Sequence, residues 1–247
     1  MKIGALLTCR GDNTLSNKHL RKISGKKLIE YPLSEIKNCD IFDKIYISSD
    51  DIKILNLAKK YGFTIIKRPN EISRPNSQHV DAIKHALNYM EKKDGFIPDI
   101  LVVVLGNTVY IKKKWIEQSI KEIIKNKKIS SVVPVYLNQD HHPYRAKHVN
   151  KDGFLKNYFE KPKDEISTNR QDLPKNYFLC HNFWTLNVKE SIQKEAKGDI
   201  PWKFMGNRLL PLYLETHLDV HNRNDLTLCK KWLKNVNKKK IRWGVLK

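Results

Sequence analysis

The sequence predicts an α/β protein with a mainly parallel, doubly wound sheet and a small inserted lobe. Short apolar runs alternate with apolar residues at helical spacing as far as residue 135, the pattern of repeated strand-helix-strand units. A length of 247 residues suits one sizeable domain, 1–247, that buries its own core. The alternation then breaks at 136–176 into a polar, aromatic-rich stretch, expected to be a lobe that closes over a substrate or swaps into a second subunit, or else a surface loop.

The expected strands are Ile3–Thr8, 44–48, Thr64–Lys67, Ile100–Leu105 and 130–135, each four to six residues of mostly apolar or β-branched character. Helical spacing marks 28–36, 52–61, 80–90 and 115–124 between them. A further strand is expected at 177–185 and a strand-like run at 214–218. A last helix is expected over about 225–236, capped by Asn224 or Asp225, with Lys238, Lys239 and Lys240 as a solvated tail.

In a parallel sheet, ligands bind beyond the C-terminal strand ends. The segments of interest are therefore 8–18, 48–51, Arg68 with Pro69, and Gly106-Asn107-Thr108. After the first strand, Cys9-Arg10-Gly11 leads to Lys18 and then to Ser24-Gly25-Lys26-Lys27. Backbone N–H groups and the charges of Arg10 and Lys18 suit the phosphates of a nucleotide. Neither GxxxxGK[ST] nor GxGxxG is present, and any α/β protein needs a polar loop here.

Cys9, Cys39, Cys180 and Cys229 form no CxxC, which is expected of unpaired thiols in a reduced compartment. No charged leader precedes an apolar block and no run of about 18 apolar residues occurs, so a cytoplasmic protein without a membrane partner is expected. The net charge of +21 raises nucleic acid as a partner. Only 9 of the 47 basic residues are Arg, however, and the Lys are scattered, which favours solvated faces.

Several segments, in order, resemble the sialic-acid (acylneuraminate) cytidylyltransferase family, which activates nine-carbon acidic sugars as CMP derivatives. Its ARGGSKGIPRKNI-type loop and following GGKPLI are similar to Cys9-Arg10-Gly11 through Asn17-Lys18-His19-Leu20 and to Ser24-Gly25-Lys26-Lys27-Leu28-Ile29. Its next two strands resemble Ile45 to Asp51 and Ile66 to Pro69. Its RRQ and NG signals resemble Arg170-Gln171 and His181-Asn182, and its DIDTxxDL end resembles Leu218 to Leu226. The resemblance covers roughly residues 2 to 235. It implies a Rossmann-like sheet of the nucleotide-diphospho-sugar transferase type, a divergent family member, and a homodimer.

The departures fall in the site. QPTSPLR becomes Gly106-Asn107-Thr108-Val109-Tyr110-Ile111-Lys112, the loop lysine gives way near Thr14, the Asn after the RK pair is His19, and the second Asp of the metal motif is His221. The resemblance implies a nucleotide site of Cys9, Arg10, Gly11, Lys18, Arg68 and Asn107. It implies a sugar site of Lys112, Arg170, Gln171 and Asn182, and a metal site of Asp219 and His221 for Mg²⁺ or, with the softer imidazole, Mn²⁺. Arg10, Lys18 and Asp219 are expected to be catalytic, because nucleotidyl transfer needs positioning and charge neutralisation more than a covalent nucleophile. Bland alternatives stand beside these: Arg10 as a surface cation, Asp219 as a strand end, Asp225 as a helix cap, and Gln171 and Asn182 as ties within the lobe. The expected reaction joins CTP to a nonulosonic acid, giving CMP-sugar and pyrophosphate. The alternatives are a guanylyltransferase acting on a hexosamine 1-phosphate and a basic nucleic-acid-binding protein.

Overall fold

A computed structural model describes residues 1–11, 15–159 and 166–238. Thr14, Lys239 and Lys240 lie outside these residues. Among the described residues an eight-stranded sheet runs in the order β10-β7-β11-β6-β1-β4-β5, with β12 also pairing β7. Its centre is β1 (Ile3–Thr8), flanked in parallel by β4 (Lys44–Ser49) and β6 (Ile100–Leu105), and β5 (Thr64–Lys67) extends it in parallel. Beyond β6, the sheet is mixed. There β11 (Phe183–Asn187) runs antiparallel to β6 and to β7 (Ser131–Leu137), while β12 (Leu209–Leu214) runs parallel to β7.

Two core layers follow from the two-residue period of the strands. Ile3, Ala5 and Leu7 of β1 and Ile100, Val102 and Val104 of β6 face α1 (Glu30–Lys37), α2 (Ile52–Lys60) and α4 (Lys113–Lys125). Leu6, Leu101 and Val103 face the other way, onto Ile83, Ala86 and Met90 of α3 (His79–Asp94). This is the doubly wound arrangement. Asp51 starts α2 by accepting from the N–H groups of Lys53 and Ile54, and Gly95, at φ +58°, ends α3.

The expected strand over 177–185 is two strands, β10 (Tyr177–Leu179) and β11, because the chain breaks at Cys180–Asn182 to move from β7 towards β6. The strand expected at 214–218 lies earlier, at Leu209–Leu214, where it fills the edge beside β7. The last helix, α5 (Arg223–Lys238), is capped by Asn222 rather than Asn224 or Asp225. Asn222 Oδ1 accepts from the N–H groups of Asn224 (2.7 Å) and Asp225 (3.2 Å), and Asp225 reaches back to the Asn222 N–H at 2.8 Å. This reciprocal pair is a capping box. Two small hairpins lie off the sheet: β2 (Lys22–Ile23) with β3 (Lys26–Lys27), and β8 (Lys147–Val149) with β9 (Leu155–Asn157) inside the expected lobe. Among the described residues the four cysteines are unpaired, and no helix is long and apolar enough to cross a membrane.

Candidate active site

The C-terminal ends of β1, β4 and β6 open into a cleft of about 250 Å³. Thr8, Cys9, Arg10, Lys18, Arg68, His79 and Asn107 all line it. A larger hollow of about 580 Å³ lies at the opposite strand ends, beside Met1, Asp99 and Val188, away from the C-terminal ends where ligands of a parallel sheet bind.

Two of the cleft's cations are buried, and both Lys18 and Arg68 are 6% exposed. The Arg68 guanidinium is fixed at the end of β4, its Nε donating to Ser48 Oγ (3.1 Å) and its Nη2 to the Ser48 carbonyl (2.8 Å). Burial lowers the pKa of Lys18, and the charge of Asp219 partly offsets this. Arg10 donates from Nη1 to the Arg74 carbonyl at 2.8 Å, which brings the first loop against the loop after β5. The Gly11 N–H donates to Asp50 Oδ1 at 2.9 Å. Burial pushes the Cys9 thiol up to about 12, so it is no nucleophile at neutral pH. His19 sits 3.1 Å from the Gly106 carbonyl through Nδ1, and burial holds its pKa down at about 4.

Opposite the cations stands Asp219, 8% exposed. His217 Nδ1 lies 3.1 Å from its Oδ1 and His221 Nε2 lies 2.6 Å from its Oδ2. Burial alone would raise the Asp219 pKa. The hydrogen bonds and charges of His217 and His221 overcome that and hold it at about 2. The segment is clasped to the loop after β6: the Val220 N–H donates to the Asn107 carbonyl (2.8 Å), Thr108 Oγ1 donates to the Leu218 carbonyl (2.7 Å), and Thr108 and Asp219 form a β-bridge.

Residues 10–205 match the family described as cytidylyltransferase. The chain belongs to the cytidylyltransferase family. It is 25% identical over 186 residues to a pseudaminic acid cytidylyltransferase of Campylobacter jejuni, covering 75% of this chain and 78% of that one. A Helicobacter pylori protein named pseudaminic acid cytidylyltransferase and UDP-2,4-diacetamido-2,4,6-trideoxy-beta-L-altropyranose hydrolase is 25% identical over 125 residues, half of this chain and 24% of its own length. Among solved structures, a CTP complex of CMP:2-keto-3-deoxy-manno-octonic acid synthetase superposes with a TM-score of 0.67 at 14% identity, covering 96% of this chain and all of that one. This likeness shows the nucleotide-diphospho-sugar transferase fold.

In this cytidylyltransferase the loops after β1, β5 and β6 bring Cys9, Arg10, Lys18, Arg68 and Asn107 to one cleft, with Gly11 held to Asp50 beside it and Asp219 near enough for its charge to act on Lys18. The sugar-site residues do not converge there. Lys112 lies at the start of α4, 3.7 Å from Glu35, beside a different hollow. Arg170 pairs with Asp140 on the exposed lobe, and Gln171 is exposed beside it. Asn182 is 3% exposed and its amide is occupied: Nδ2 donates to the Tyr110 carbonyl (2.9 Å) and Oδ1 accepts from the Phe183 N–H.

Sequence reasoning missed His79, His181, His217 and Trp202. His217, Asp219 and His221 alternate along an extended segment, a two-residue spacing that places them on one side. That signal was available. His181 stacks on Trp202 (5.3 Å) and meets Trp184 edge-on (6.0 Å), while His79 stacks on Trp184 (5.1 Å). No local signal marks His79, His181 and Trp202, which come together from three distant segments.

Proposed function

We propose that this cytidylyltransferase transfers CMP from CTP to a hydroxyl of an acidic nonulosonic sugar of the pseudaminic or sialic type, releasing pyrophosphate. The observation that carries the reading is the pair of buried cations, Lys18 and Arg68, set beside Arg10 at the strand ends and across from an ionised Asp219. Buried charge is costly, and a triphosphate would add to the countercharge that Asp219 gives Lys18 and Asp50 gives Arg68 from beyond ion-pair distance. The names of the Campylobacter and Helicobacter relatives support the sugar class.

In this reading Arg10, Lys18 and Arg68 orient the triphosphate and offset its charge while the acceptor oxygen bonds to the α-phosphorus. The bond from that phosphorus to the bridging oxygen breaks, pyrophosphate leaves with the electron pair, and the hydroxyl proton passes to water. Among the described residues no group of three His, Cys, Asp or Glu can by itself hold a metal ion. Asp219 nevertheless fits Mg²⁺, which takes one or two carboxylates and completes its shell with water and substrate phosphates, and the imidazole of His221 adds a donor better suited to Mn²⁺. When bound there, the cation would neutralise charge on the triphosphate. The rings of His181 and Trp202, next to the Asp219 charge, form the acceptor side.

The reading extends to a homodimer. Val149, Phe154, Leu155 and Tyr158, on and beside the β8–β9 hairpin, are between 63% and 69% exposed, an apolar group that a second copy would cover. Pyrophosphate release tests the main reaction, with CTP or GTP as donor and pseudaminic acid, N-acetylneuraminic acid or a hexosamine 1-phosphate as acceptor, each with Mg²⁺. Release with CTP and a nonulosonic acid is expected. Release only with GTP and the sugar phosphate would overturn it.

A further inference from the structure

We propose that His79 reads the nucleobase, presenting an acceptor nitrogen that takes the 4-amino group of cytosine and rejects the 4-carbonyl of uracil. The inference rests on the reading of the cleft as a CTP site. His79 is the first residue of α3 and lines the cleft. Its Nε2 lies 3.0 Å from Thr8 Oγ1. That hydroxyl has one proton, which it directs at the Val104 carbonyl, 3.3 Å away. Thr8 therefore accepts from His79, Nε2 carries the ring hydrogen, and Nδ1 is left with a lone pair. Among the described residues no hydrogen bond to Nδ1 is found, and the residue lines the cleft.

The ring cannot trade roles by taking up a second proton at neutral pH. Burial, with the charges of Arg68 and His181, holds its pKa at about 3, so Nδ1 stays an acceptor. The ring cannot readily turn either, because it packs against Trp184 at 5.1 Å with the two planes tilted by 56°. The wall around it suits a flat, weakly polar group. Ala82 lies one helical turn along α3, and Leu105, paired in register with Thr8, lines the cleft beside it together with Ile72. The cations Arg10, Lys18 and Arg68 attract phosphate in the same cleft, while His79 adds a fixed acceptor that phosphate oxygen, itself an acceptor, cannot use. An amine-bearing base can. A carbonyl set against Nδ1 would oppose two lone pairs and leave both unsatisfied.

The test is nucleotide affinity, measured by calorimetry with CTP, UTP and the triphosphate of 2-pyrimidinone riboside, which lacks the 4-amino group, all with Mg²⁺. Unmodified protein should bind CTP about tenfold or more tightly than either other nucleotide, the size of one hydrogen bond against an unmet one. His79→Phe keeps the ring on Trp184 and should lose that preference, while its affinity for UTP stays within about twofold. His79→Asn, which returns an acceptor oxygen near the Nδ1 position, should restore most of the preference. Equal loss of CTP and UTP affinity in His79→Phe would make the residue a structural prop and overturn the inference while leaving the CTP site standing. Equal affinity of the unmodified protein for all three nucleotides would overturn it without recourse to any variant. Failure to bind CTP at all, with GTP bound instead, would remove the CTP reading and the inference together.

Discussion

Gly106→Ala is the substitution whose cost the geometry defines most sharply. A Cβ at Gly106 would stand 2.1 Å from Cys9 Sγ and 3.3 Å from His19 Nδ1. Ordinary carbon contacts lie at about 3.5–4.0 Å, so the sulfur must retreat by more than an ångström. Cys9 is 3% exposed and packed in the larger core layer, which leaves little room to turn. Overpacking of this kind costs about 1–3 kcal/mol, or a fall in melting temperature of about 2–12 °C for a chain of this size. The decisive assay is a double-mutant cycle in thermal or urea unfolding with Cys9→Ala. Removing the sulfur leaves only the His19 contact at 3.3 Å, so most of the penalty should vanish in the double variant, a coupling of about 1–3 kcal/mol. If Gly106→Ala destabilises the Cys9→Ala background as much as the unmodified chain, the packing argument fails.

Asp219→Asn should lower turnover by at least about 100-fold with near-normal unfolding, since it removes the ionised oxygen facing Lys18. Asp225→Asn should instead cost about 0.5–1 kcal/mol, because it weakens the box that closes α5; steady-state kinetics beside urea unfolding separates the two. Below pH 6.5 the chain should lose stability. Burial holds the folded pKa of His19 at about 4 and of His79 at about 3, whereas both titrate near 6.5 when unfolded, so the unfolded chain binds more protons and stability falls with pH through that window. At pH 5 each contributes about 2 kcal/mol of loss, and His79→Phe should show a correspondingly shallower decline in urea unfolding between pH 7 and 5. Leu155→Lys should shift sedimentation velocity from dimer to monomer without changing the far-ultraviolet circular dichroism; a species unchanged in mass would exclude the β8–β9 hairpin as the contact.

The centre of the parallel half was legible because Ile3–Thr8 and Ile100–Leu105 are buried on both faces and read as largely apolar runs, and the edge strand Thr64–Lys67 also has matching bounds in the structure. The break at Cys180–Asn182 was not legible, because it depends on which neighbour the strand pairs with and not on its own residues. The cap of α5 was expected at Asn224 or Asp225 and lies at Asn222, a choice that only the reciprocal bonds between Asn222 and Asp225 decide. In the cleft, Arg10, Lys18 and Arg68 stood out as cations at strand ends. His79 and Trp202 did not, since each is ordinary in its own segment. Gly106 reads in the sequence as a lost substrate contact, whereas in space it is the partner of the Cys9 sulfur. Two positions nearly a hundred residues apart thus meet in one packing contact.

The clasp between Thr108 and Leu218 joins positions 110 residues apart and so closes a large loop of chain at its own base. Between them β7, β11 and α4 stay packed into the sheet and its core, while the β8–β9 hairpin lies off it. Insertions or deletions in that hairpin leave the spacing of Asp219 from the loop after β6 untouched, because the clasp sets that spacing. The hairpin can in this sense be rewritten while the strand ends beside Asp219 keep their arrangement.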